Sequence, residues 1–353
     1  MKLLAINPGS TSTKIGIFEG ETLLVEHVLR HQTSELQDFE QITDQYDFRK
    51  DIILATLNKE GFQVEDFDAI VGRGGLVKPI VGGTYLVNER LLEDLRVGVQ
   101  GQHASNLGGL IASEIAKQID KPAFIVDPVV VDELKDIARI SGHPLLPRRS
   151  IFHALNQKAT AYKYAKDNGR KYEELNLIVA HMGGGISVGI HEKGFVIDTN
   201  NALDGDGPFA PQRSGGLPSG ALVSLCFSGN YSLSEVKSML VGKGGIVAYT
   251  GMDDIQELEK RGKTEPEVQL LIDALIYQVS KEIAAMAVAV NGQVDAILLT
   301  GGIAYSDYIT AEITKRISFV GEVKRYPGEN ELEALAMGAL RVLRSEEEAK
   351  IYA

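Results

Sequence analysis

The 353-residue chain has one cysteine, Cys226, so no disulfide can form within it and a reducing compartment is expected. In "ALVSLCFSG" that cysteine reads as an apolar packing residue. Basic charge is also short. The 36 Lys and Arg against 48 Asp and Glu leave a formal charge of −12, whereas a protein that grips nucleic acid would show a basic face. A small anionic ligand stays open, because a few local cations and backbone N–H groups suffice for phosphate. No apolar run approaches the roughly 18 residues that cross a membrane, and the apolar stretch of "MKLLAIN" is too short for a secretory signal. The expectation is a soluble, cytoplasmic protein without membrane or nucleic-acid partners.

The common nucleotide-binding signatures are missing as well. No G-x-x-x-x-G-K-[ST] occurs, and neither do the loops of protein kinases. "HMGGGIS" has the wrong spacing for G-x-G-x-x-G, and a strand rather than a helix is expected after it. A nucleotide site in this chain would have to be built from hairpin turns.

Glycine, by contrast, is plentiful. The chain has 37, gathered in clusters such as Gly183-Gly184-Gly185 and Gly301-Gly302, where bare backbone can approach a ligand closely. The opening reads as three strands joined by tight turns, through "KLLAIN", "TKIGIFE" and "TLLVEHVL". "LIVAHMGGGISVGIHEKGFVIDT" repeats that order and punctuation, which points to a structural duplication. Helical spacing runs from Glu35 to Phe62, and further helices are expected near 219–227 and 232–240 and over "EPEVQLLIDALIYQVSKEIAAMAVAV". Asn330 is expected to cap the last helix, with Glu333 closing a capping box. Two domains are expected at this length. "SGHPLLPRRS", residues 141–150, is the best boundary, since two prolines and a glycine interrupt any element.

Between the first two strands stands "NPGSTSTK". Backbone N–H groups in a tight turn make a concave anion site, helped by the hydroxyls of Ser10 and Ser12 and the ammonium of Lys14. Asn7 adds an oxygen for a metal–phosphate group. A plain polar hairpin is the alternative. The Gly183, Gly184 and Gly185 turn is a second candidate for an oxyanion. Gly301 and Gly302 offer flat backbone against an adenosine, or else an ordinary strand-to-helix turn. Arg73 in "VGRGG" and Arg213 in "APQRSGG" present planar forks suited to carboxylate or phosphate, though surface positions would also account for them. His181, before the triple glycine, and His153, after the boundary, are candidate donors to developing negative charge, with a structural role open for either. Asp127 ends a buried strand, where a carboxylate is rarely filler. Glu331 opens the last helix, where it either complements the helix dipole or helps hold magnesium.

The segments "INPGSTSTKIGIFE", "HMGGGISVGIHEKG", "DGDGPFAPQRSGGLP" and "ENELEALAMGALRVL" resemble those of the acetokinase family, in the acetate and sugar kinase, heat-shock 70 and actin superfamily. The likeness covers essentially the full length. It implies an α/β fold of two actin-like (ribonuclease H-like) domains with a nucleotide cleft between them. One would hold residues 1–148 and a returning helix in 332–353; the other, 149–331, would bind nucleotide and dimerise. The resemblance also implies ATP and ADP, Mg2+, a short-chain fatty acid as acceptor, an acyl phosphate as product, and a homodimer or larger homo-oligomer. Under it Arg73 grips the carboxylate, while Arg213, His181 and His153 attend the moving phosphoryl group. Asn7, Asp127 and Glu331 organise the metal, with Glu329 and Glu333 leaving the register open.

Beside Arg73 the chain has Gly74-Gly75 where acetate kinases carry bulkier apolar residues. A pocket deepened there, and lined by Leu76 and Phe152, would take a few more methylenes, each worth about 0.8 kcal/mol when buried. A four- or five-carbon acid, straight or branched, is therefore expected. A sugar kinase of the same superfamily, or an ATP-driven switch protein, is the alternative.

Overall fold

A computed structural model describes residues 1–37 and 39–353. They form two compact units, Met1–Val131 with Asn330–Ala353, and Asp132–Glu329. The strands in chain order are β1 (Lys2–Pro8), β2 (Ser12–Glu19), β3 (Thr22–Arg30), β4 (Ala69–Arg73), β5 (Thr84–Leu86), β6 (Ala123–Val126), β7 (Asn176–Met182), β8 (Ile186–Glu192), β9 (Phe195–Thr199), β10 (Ala296–Gly301), β11 (Val323–Pro327) and β12 (Lys350–Ile351).

In the first unit the sheet runs β12-β5-β6-β4-β1-β2-β3; in the second it runs β11-β10-β7-β8-β9. The middle strands β1 and β7 are buried almost end to end, which accounts for their unbroken apolar sequence: both sheet faces are covered. At the edge, β3 alternates exposed and half-buried positions. The last helix, Glu331–Leu343, returns to the first unit and packs on β1 and β6. In the second unit the long helix Pro266–Met286 buries Ile272, Leu275, Val279 and Ile283 in the core with β7, β8 and β10.

The duplication is visible in the pairing. β1, β2 and β3 form an antiparallel meander with β4 parallel to β1. β7, β8 and β9 form another, with β10 parallel to β7. Even the irregularity recurs, at Ile17/Phe18 and at Ile190/His191.

Several sequence expectations are corrected. The division between the units falls at Val131/Asp132, earlier than the proline-bearing stretch. The reason is bonding: Lys135 N–H donates to the Ile197 carbonyl, Lys158 pairs with Glu133, and Arg148 pairs with Asp198, all inside the second unit. "SGHPLLPRRS" is thus a largely exposed excursion within that unit. The helical reading of residues 35–62 resolves into a short helix Thr33–Leu36, a 3-10 turn Ile42–Gln45 and a helix Tyr46–Lys59; Asp38, inside that stretch, lies outside the described residues. Asn330 makes no side-chain cap bond, because its left-handed backbone (φ 44°) departs from the extended geometry that an N-cap uses. Cys226 is exposed, at the end of a helix, Ser219–Cys226, that buries none of its residues. Among the described residues, no helix is long and apolar enough to cross a membrane.

Candidate functional site

The "NPGSTSTK" hairpin is held from beneath by a residue that sequence reasoning missed. Arg49 is fully buried. It donates to the carbonyls of Gly9 (2.7 Å), Ser10 (3.0 Å) and Ser12 (3.1 Å), to Thr13 Oγ1 and to Gln45 Oε1. His31 N–H takes the Thr11 carbonyl at 2.9 Å. All four turn carbonyls are therefore engaged on the protein side. The N–H groups of Ser10 and Thr11 find no acceptor among the described residues, and both residues are exposed. A turn polarised in this way suits an anion. Burial holds the Arg49 pKa down at about 10, and burial followed by Arg49 lowers that of His31. A signal was present: Arg49, Ile53 and Leu57 share the i, i+4, i+8 stripe that the helix buries. Lys14 pairs with Asn7 across β1 and β2, so the two side chains share one sheet face.

Behind the hairpin, three of the expected residues meet. Arg73 Nη1 lies 2.6 Å from Glu331 Oε1 and 3.2 Å from Asn7 Oδ1, while Asn7 Nδ2 donates to Glu331 Oε2 at 2.5 Å. Of the neighbouring glutamates it is Glu331 that meets Arg73 and Asn7; Glu329 lies instead with His181 in the second unit, 3.8 Å from Nε2. Asp127 follows Val126, the β6 partner of Arg73. It is buried with a left-handed backbone (φ 38°), and Gly83 N–H donates to its Oδ1 at 2.7 Å.

Gly74 and Gly75 do not open a pocket in the direction a side chain would take. A Cβ at Gly74 would lie 2.6 Å from Pro128 Cβ, and one at Gly75 would lie 2.5 Å from Asn106 Oδ1 and 2.7 Å from Leu95 Cδ2. These neighbours occupy the space that a side chain at either glycine would take. Leu76 is half-buried, and its N–H is tied to Asn106 Oδ1 at 2.8 Å. Phe152 is buried in the second unit.

In the second unit the rings of His153 and His181 stack, with centroids 3.8 Å apart and planes at 15°. His181 Nδ1 is 2.7 Å from Asn156 Oδ1, and His153 Nδ1 is 2.8 Å from Ser187 Oγ. The glycine turns gather beside them. A Cβ at Gly183 would lie 3.2 Å from His181 Nε2, and one at Gly184 would lie 3.3 Å from Gln212 Oε1. A Cβ at Gly185 would fall 2.1 Å from Arg213 Nη1, and one at Gly301 would fall 2.4 Å from the Met182 carbonyl, so only glycine lets these pieces meet. Gly302 is exposed, with open space where a Cβ would be. Arg213 donates to the Ala202 carbonyl at 2.7 Å, and burial lowers its pKa.

Asn7, Asp127 and Glu331 offer hard oxygen donors of the kind magnesium takes. Among the described residues no group of three or more His, Cys, Asp and Glu side chains could hold a metal ion alone. Of the three donors, Asn7 and Glu331 are bonded to one another, and an ion on such donors would draw its remaining ligands from phosphate and water.

Residues 133–348 match the acetokinase family. A probable butyrate kinase of Clostridium botulinum (strain Alaska E43 / Type E3) is 56% identical over 352 residues, covering 99% of each chain. Butyrate kinase 2 of Clostridium acetobutylicum is 56% identical over 354 residues, again with 99% of each chain covered. The crystal structure of Porphyromonas gingivalis acetate kinase superposes with a TM-score of 0.79 at 18% identity, covering 97% of this chain and 99% of that one. That likeness places the fold among two-domain actin-like proteins.

Proposed function

The chain belongs to the acetokinase family, and from that premise we propose that it transfers the γ-phosphoryl group of ATP to butyrate, giving butyryl phosphate and ADP. It is a carboxylate phosphotransferase that uses ATP and ADP. The observation that carries the choice of acid is the 56% identity, over 99% of each chain, with curated butyrate kinases.

Phosphoryl transfer needs positioning and charge neutralisation more than covalent chemistry. The acid is already ionised near pH 7, so its carboxylate oxygen attacks phosphorus directly. An O–P bond forms, the bond from the γ-phosphorus to the bridging oxygen breaks, and ADP leaves without any proton transfer. In this reading Arg73 holds the acid, exchanging or sharing its Glu331 partner. The outward N–H groups of Ser10 and Thr11, the hydroxyls of Ser10 and Ser12, and Lys14 hold phosphate oxygens above the Arg49 charge. Gly183, Gly184, Gly185, Gly301 and Gly302 give the nucleotide bare backbone. Arg213, His153 and His181 donate to the moving group. Asn7, Asp127 and Glu331 would hold magnesium, whose charge offsets that of the phosphates when bound.

Assembly into a dimer or larger homo-oligomer belongs to the same proposal. The second unit supports it by exposing Phe227 (87%), Leu233 (73%) and Tyr249 (76%); a monomer mass by light scattering would contradict it. The activity is tested by ADP formation with and without butyrate. Butyrate-dependent turnover well above basal hydrolysis is expected, and turnover indifferent to acid would overturn the reading.

A further inference from the structure

His153 is the outer end of a buried hydrogen-bond chain whose other members the proposed reaction does not use. Tyr172 Oη lies 2.6 Å from His191 Nδ1, and His191 Nε2 lies 3.1 Å from Gln157 Oε1. Gln157 Nε2 donates to Ser187 Oγ at 2.9 Å and to the Ser187 carbonyl at 3.1 Å. Ser187 Oγ then meets His153 Nδ1 at 2.8 Å. Gln157, Ser187 and His191 are fully buried, and Tyr172 is nearly so.

Donor counting fixes the direction of every link. Gln157 Oε1 can only accept, so His191 carries its proton on Nε2 and takes the Tyr172 hydroxyl on Nδ1. Burial, and then the Lys158 charge, hold the His191 pKa well below its ordinary value, in keeping with a neutral ring. At the next link, Gln157 Nε2–H and the His153 backbone N–H (3.3 Å) both donate to Ser187 Oγ. A hydroxyl has two lone pairs, so its own proton has one place left to go, His153 Nδ1. The neutral His153 ring therefore keeps its proton on Nε2.

His181 has the opposite tautomer. Asn156 Nδ2 donates to the carbonyls of Glu329 (2.9 Å) and Gly328 (3.4 Å), which leaves Oδ1 to accept from His181 Nδ1–H. His181 offers a donor at Nε2 only when it carries a second proton, whereas His153 offers one while neutral. Two stacked cationic rings 3.8 Å apart would repel.

We propose that Gln157 and Ser187 are positioning residues that hold neutral His153 as the Nε2–H tautomer, so that the ring donates to phosphoryl oxygens without placing a second cation on His181. The catalytic half of this statement rests on the proposed reaction; the tautomer half does not. The amide in the chain makes it an orienting device rather than a path for proton transfer.

The test is imidazole 15N NMR of the full-length protein at a pH where the rings are neutral, on wild type, Ser187→Ala and Gln157→Glu, alongside steady-state kinetics. Wild type is expected to show His153 protonated on Nε2. Ser187→Ala is expected to give a mixture of tautomers and to lower kcat about ten-fold, with KM for ATP and acid little changed. Gln157→Glu, which can only accept, is expected to turn the hydroxyl and move the His153 proton to Nδ1. Should it fail to fold, Ser187→Ala, which removes a single hydroxyl, carries the test. Nδ1 protonation in wild type, or an unchanged tautomer in Ser187→Ala, overturns the proposal. A tautomer that shifts while kcat does not upholds the positioning and removes His153 from the reaction.

Discussion

The guanidinium of Arg73 and the carboxylate of Glu331 are separated by 258 residues in sequence and by 2.6 Å in the fold, with Asn7 bonded to both. The strand end β4, the strand β1 and the first turn of the last helix converge to place them. An acid that binds Arg73 meets a cation already oriented by a carboxylate. Arg73→Gln is expected to lower kcat/KM for butyrate about 10- to 100-fold, matching a charge-assisted bond worth about 1.5–3 kcal/mol, while KM for ATP changes little. Arg73→Lys is expected to recover only part, because an ammonium lacks the fork. Acid kinetics untouched by either change would make the pair a structural ion pair alone.

Arg49 ties three hairpin carbonyls and carries a buried charge with no carboxylate among its hydrogen-bond partners. Arg49→Met leaves the Gly9 and Ser10 carbonyls without a donor, while the Ser12 carbonyl keeps the Gly9 N–H; each lost bond costs up to roughly 1–3 kcal/mol. The expected result is a lower Tm together with ATP binding weakened at least ten-fold, read by calorimetry and by nucleotide titration. A loss of Tm with unchanged ATP affinity would confine Arg49 to the fold.

The packing at Gly75 makes a second substitution informative. A Cβ 2.5 Å from Asn106 Oδ1 overpacks the turn, which typically costs about 1–3 kcal/mol. Gly75→Ala is expected to lower Tm and to leave the ratio of kcat/KM for butyrate to that for acetate nearly unchanged. A stable variant with its preference moved toward acetate would restore the pocket-opening role that the sequence suggested.

Acid should weaken the fold through His191. Its folded pKa lies well below the ordinary 6.5, so below pH 6.5 the unfolded chain takes up a proton that the folded chain refuses. The stabilisation is present in full above that value and is lost as pH falls beneath it. His191→Asn keeps a donor and an acceptor but cannot titrate. Thermal unfolding from pH 8 to 5.5 is expected to show wild type losing Tm faster than this variant below about 6.5. Parallel curves would contradict the assignment.

Much of this arrangement was legible in the sequence where its physics is local. Apolar runs and glycine turns marked both meanders, and the histidines beside the triple glycine and the boundary proved to be stacked neighbours. What escaped depended on partners far along the chain. Arg49 looked like any helical arginine until the hairpin carbonyls lay over it. Asn330 has the composition of a cap and the wrong backbone for one. The glycines beside Arg73 suggested space, and residues 20 to 54 positions away lie where a side chain there would go. Cys226 sits in an apolar string that the helix leaves exposed.

The central claim is met most directly by trapping acyl phosphate as hydroxamate, with Mg-ATP and acetate, propionate, butyrate, isobutyrate, valerate and isovalerate in turn. Product is expected from several acids, since pockets separate one methylene by only about 10- to 200-fold, with kcat/KM greatest for butyrate. Acetate as the best substrate would contradict the acid preference, and no hydroxamate from any acid would contradict phosphoryl transfer to carboxylate altogether.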